Sequence, residues 1–93
     1  MKISELKKGD LVIRYFPYYS HSLKKITEIE NYGEVISINE ENIICSIICD
    51  IPRIMQFSRQ NGYHIKGKEQ GYIKISVITK LEKEFGIKLK RCF

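Results

Sequence analysis

The chain has no alanine, no tryptophan, two prolines and two aspartates. Lacking alanine, it lacks the best helix former, and the balance tilts toward strands. Asp10 and Asp50 both fall at predicted strand ends, and no pair of carboxylates shows nuclease-like spacing. No glycine-rich stretch has the pattern of a phosphate cradle. Catalysis is therefore not expected, and neither is a cofactor. No apolar run approaches the roughly 20 residues needed to span a bilayer. The opening M-K-I-S-E-L-K-K-G-D has no uninterrupted apolar core of the kind a signal peptide needs. The expectation is a cytoplasmic protein whose three cysteines, an odd number, stay reduced.

What is present favours β structure. Ninety-three residues suit a single domain, 1–93. A chain of this size hides roughly 60–65% of the surface it exposes when unfolded, enough for one modest core. Seventeen isoleucines and six tyrosines suit a pleated surface. Richness in Ile, Lys, Asn and Tyr is also what AT-rich codons produce, which points to a low-GC bacterium or one of its phages or plasmids. The net charge of +5 is uneven. Residues 1–50 sum to −2 and residues 51–93 to +7, so the C-terminal half is expected to face something anionic.

The stretch Gly33 to Cys49, G-E-V-I-S-I-N-E-E-N-I-I-C-S-I-I-C, reads as two strands around the turn Asn39-Glu40-Glu41-Asn42. Its second strand, Ile43 to Cys49, is nearly apolar on both faces and is predicted to be central and covered twice. Before it, Gly9-Asp10 feeds a strand from Leu11 to Phe16, which Pro17 should end. Residues 17–23 are expected as a Tyr-rich loop. Residues 24–30 fit a bulged strand or a helical turn, and Asn31-Tyr32-Gly33 reads as a turn. After Pro52, strands are predicted over 53–58, 63–66 and 72–75, the first two joined at Asn61-Gly62. Ser76 should cap a helix from Val77 to Phe85, with Val77, Ile78, Leu81 and Phe85 as its buried stripe and Gly86 as its stop. Residues 87–93 read as a last strand or tail. The fold class is mainly β with one C-terminal helix, built on a small bent antiparallel sheet.

L-K-K-G-D-L-V (Leu6 to Val12) followed after a loop by Y-G-E-V-I-S-I (Tyr32 to Ile38) resembles the start of SH3-like small barrels, including KOW-, Tudor- and CarD-type modules. The resemblance covers residues 6–49. It implies a strongly bent antiparallel barrel that binds nucleic acid, peptides, modified side chains or other proteins, so the ligand stays open.

Cys45, Cys49, His64 and Cys92 suggest a metal site, but strand geometry opposes it. Residues four apart on a strand lie about 13 Å apart, against about 2.3 Å for a zinc–sulfur bond. Buried cysteine acting as a small hydrophobe is the expected role. Two sets of residues are candidates for binding. One is Arg14, Tyr15, Phe16, Tyr18, Tyr19, His21, Lys24 and Lys25, where rings can stack on bases and cations hold phosphates. The other is Arg53, Arg59, Lys66, Lys68 and Lys74, with Lys88, Lys90 and Arg91, on a basic hairpin region. The expected function is non-catalytic binding, with nucleic acid as the partner through these groups. The alternative is a protein-interaction or inhibitor module of the kind phages and plasmids direct at a host enzyme or defence protein.

Overall fold

The computed structural model describes residues 2–48, 51–67 and 70–88. A short 3-10 turn, Ile3–Glu5, precedes five strands: β1 (Leu11–Ser20), β2 (Lys25–Ile38), β3 (Asn42–Ile48), β4 (Arg53–Ser58) and β5 (Tyr72–Ile75). One helix, α1 (Val77–Phe85), follows. The strands form one antiparallel sheet in the order β4-β3-β2-β1-β5. The fold is thus mainly β with a single C-terminal helix, as the composition implies.

Strand alternation sets the core. Val12 on β1, Val35 on β2, Ile43, Cys45 and Ile47 on β3, Phe57 on β4, and Ile73 and Ile75 on β5 are all buried on one face, with Leu6 closing an end. Burial pushes the Cys45 thiol up to about 12, which makes it a packing group. Gly33 sits where strands crowd: an added Cβ would lie 2.7 Å from Ile47 Cδ1 and 3.1 Å from Ser46 O. Gly33 is paired with Val12 of β1 on one side and Ile47 of β3 on the other, so Asn31-Tyr32-Gly33 continues β2 instead of turning.

Other expectations are corrected in the same physical terms. β3 is extended as predicted, but only its Ile43, Cys45 and Ile47 face is buried; Ile48 is exposed and Ile44 half-buried. Pro17 does not end β1. The β1–β5 pairing stops at Tyr15–Tyr72, so Pro17 lies on an edge, where its missing N–H costs no ladder bond. The expected loop over 17–23 is therefore mostly strand, with a turn at residues 21–24. Residues 63–66 make no return strand. Tyr63 bridges to Tyr72 of β5 and His64 to Phe57 of β4, so the connection between β4 and β5 spans both sheet edges with one residue each.

The bounds of α1 match the reading, with the Ser76 hydroxyl accepting from Ile78 N and Gly86 at φ 65°. Its faces do not match. Thr79 and Glu82 are buried, while Val77, Leu81 and Phe85 are exposed. A reciprocal pair of bonds explains the rotation: Leu11 N donates to Thr79 Oγ1 at 2.7 Å, and that hydroxyl donates to Leu11 O at 2.9 Å. Two buried backbone groups at the start of β1 are satisfied this way, which an apolar stripe could not do. Residues 87–88 are neither helix nor strand, and 89–93 lie outside the described residues.

Candidate interaction surface

Two features position the surface. The first is an arm. β1 contacts β5 only over Val12–Tyr15, and β2 contacts β3 only from Tyr32 onward. Residues 16–20 and 25–29 therefore form a two-stranded ribbon, about 17 Å long at strand spacing, that helps stretch the molecule to 44 × 29 × 24 Å. The second is the sheet face opposite the core. Cross-strand register aligns Lys74, Ile13, Tyr32 and Ile48 in one row across β5, β1, β2 and β3. The next row holds Tyr72, Tyr15 and Glu30.

On this outer face the Tyr15 and Tyr72 rings stack, with centroids 5.6 Å apart, and Tyr63 leans on Tyr72 at 5.5 Å. The Lys74 ammonium lies 5.6 Å from the Tyr15 centroid and 5.8 Å from that of Tyr72. Burial, reinforced by Glu30, Tyr32 and Glu28, raises the Tyr15 phenol above its usual value. Tyr72 is raised chiefly by its hydrogen bond to Glu28. Tyr32 is 49% exposed and Ile54 69%, while Ile48 is 40% exposed. Large side chains this open on one sheet face make it a candidate interaction surface.

The residues singled out in the sequence are dispersed. Arg14 is buried, its guanidinium donating twice to Gln70 O at 2.8 and 3.1 Å and lying 4.2 Å from the Phe16 ring centre. Tyr18 and Tyr19 are exposed, but adjacent strand positions send them to opposite faces of the arm. Tyr19 meets His21 edge-on at 5.1 Å, and Lys24 and Lys25 stand at the same tip. Lys25 pairs with Ser20 and Lys74 with Ile13, about 23 Å away along β1. Arg53 and Arg59 flank β4 at opposite ends, about 20 Å apart. Arg59 donates to Asn39 O and Ser4 O, tying the β2–β3 turn to the N-terminal segment. Lys66 is exposed in the β4–β5 connection, and Lys68 lies outside the described residues, as do Lys90 and Arg91. Among the described residues, the arm-tip group is brought together, Lys74 meets Tyr15 and Arg14 meets Phe16, while Lys25, Lys74, Arg53 and Arg59 stand apart.

Among the described residues no group of three or more His, Cys, Asp or Glu could hold a metal ion. Cys49 and Cys92 lie outside them. No helix is long and apolar enough to cross a membrane among the described residues. Sequence reasoning missed Ile13, Tyr32, Ile48, Ile54, Tyr63 and Tyr72. For Tyr32 the available signal was the alternation I-x-E-x-E-x-Y-x-E over 26–34, which places Ile26, Glu28, Glu30, Tyr32 and Glu34 on one strand face. Comparison with protein-family models, curated proteins and solved structures finds no match to this chain.

Proposed function

We propose that the protein is a non-catalytic module that docks onto another protein through the outer face of its sheet. The observation that carries this is the outer face around the row Lys74, Ile13, Tyr32 and Ile48, where Tyr32, Ile48 and, opposite Ser46 in the neighbouring row, Ile54 stay open to solvent. Tyrosine and isoleucine in contiguous exposure suit an interface core more than a phosphate-binding surface, which needs clustered cations. The SH3-like modules that the opening motif resembles count other proteins among their ligands. Small modules of this kind, carried by phages or plasmids against host proteins, fit the same reading. The test is capture from nuclease-treated host lysate by the wild-type chain and by Tyr32→Lys with Ile54→Lys. A protein partner should be retained by the first and lost by the second; retention by both counts against the proposal.

The arm tip supports nucleic acid as a second reading, because Tyr18, Tyr19, His21, Lys24 and Lys25 are exposed there together. On that reading, affinity for a single-stranded oligonucleotide falls steeply with added salt and is lost on Lys24→Ala with Lys25→Ala. A flat salt response removes it.

A further inference from the structure

The uncovered sheet face has a charge that the chain as a whole does not. The protein carries +5, yet residues 26–41 hold five glutamates and neither lysine nor arginine. Three of the five, Glu28, Glu30 and Glu34, alternate along β2 and point to the outer face beside Tyr32. At strand spacing they cover about 20 Å. No ion pair among the described residues engages them.

We infer that the protein docked on this face presents lysine or arginine side chains to the Glu28, Glu30 and Glu34 row, an inference that rests on the outer face being the docking surface. Charge complementarity selects the partner: unneutralised carboxylates beside aromatic rings attract a cation and repel a phosphate backbone or an acidic segment. The molecule already shows the aromatic half of this chemistry on the same face, where Lys74 lies over the Tyr15 and Tyr72 rings. On β2, Tyr32 stands between Glu30 and Glu34, so an incoming cation meets a ring and a carboxylate together. An extended partner segment with cations at alternate positions matches the carboxylate spacing, since both follow the period of a strand.

The test uses the full chain labelled for NMR and two octapeptide probes, one alternating lysine with threonine and one alternating glutamate with threonine. The lysine peptide should shift the amides of residues 28–34, weaken as salt is raised, and bind about tenfold less well to Glu30→Gln with Glu34→Gln. The salt series on the wild-type chain keeps the question answerable if that variant folds poorly. Equal or tighter binding of the glutamate peptide on this face overturns the inference but leaves the docking surface standing. Absence of any shift on the outer face with either peptide overturns both. A concentration-dependent dimer whose shifts map to the same residues assigns the face to a second copy and likewise overturns it.

Discussion

The Tyr72 hydroxyl donates to Glu28 Oε2 at 2.9 Å, so a side chain of β5 reaches over β1 to one of β2. This bond holds the tyrosines of the outer face in one arrangement where β5 stops and the arm begins. Its electrostatic consequence is direct. The bond, followed by partial burial and the Glu28 charge, raises the Tyr72 phenol above its usual 10.0. A phenol that titrates later in the fold than in the unfolded chain adds stability at pH below 10. That contribution is lost as pH rises through the folded value. Tyrosinate absorbance should therefore show Tyr72 among the last phenols to ionise, and Glu28→Gln should bring it earlier. An unchanged titration in that variant removes the assignment.

Arg14 has a role in holding the fold. Its two bonds to Gln70 O and its seat on Phe16 fasten the β4–β5 connection to β1. Lysine cannot reproduce the planar fork. Arg14→Lys is expected to cost about 1.5–3 kcal/mol in urea unfolding, the range for bonds to a charged group. Peptide binding by the folded variant should be unchanged.

Thr79 is a sharper case, because a near-isosteric change removes both of its bonds. Thr79→Val leaves Leu11 N and Leu11 O without their side-chain partner and should cost about 2–4 kcal/mol. Thr79→Ser, which keeps the hydroxyl, should recover most of that loss in the same unfolding measurement.

Cys45 provides a probe of global opening. With its thiol at about 12 and its side chain fully buried, it should resist alkylation in the folded protein. In a chain carrying Cys49→Ser and Cys92→Ser, labelling by iodoacetamide should follow the unfolding transition. Fast labelling in native buffer would contradict this.

Much of the fold was legible in the chain because local rules and burial agreed. The alternation of Ile43, Cys45 and Ile47, the Asn39 turn and the Ser76 and Gly86 caps each point the same way as the tertiary structure. In the turn, Asn39 Oδ1 accepts from Glu41 N and Asn42 N, as the residue type suggests. The failures occur where a partner distant in sequence decides. Pro17 continues a strand because β5 has already ended, and Gly33 stays extended because Val12 and Ile47 pair with it on either side. Val77, Leu81 and Phe85 form an apolar stripe in sequence, but the backbone of Leu11 turns the other side of α1 inward. The outer tyrosines were harder still. Tyr15, Tyr63 and Tyr72 are brought together only by the pairing of β1 with β5 and by the bridge at Tyr63.

The position of Pro17 also governs how the ribbon behaves toward other chains. A hairpin free along both sides invites a foreign strand to extend it, which is the route to open-ended polymers. On the β1 side, the proline ring replaces a hydrogen-bond donor midway along the exposed stretch, and a strand laid there would find its ladder interrupted. The β2 side keeps its donors over residues 25–31, so any growth of the ribbon is confined to a single direction.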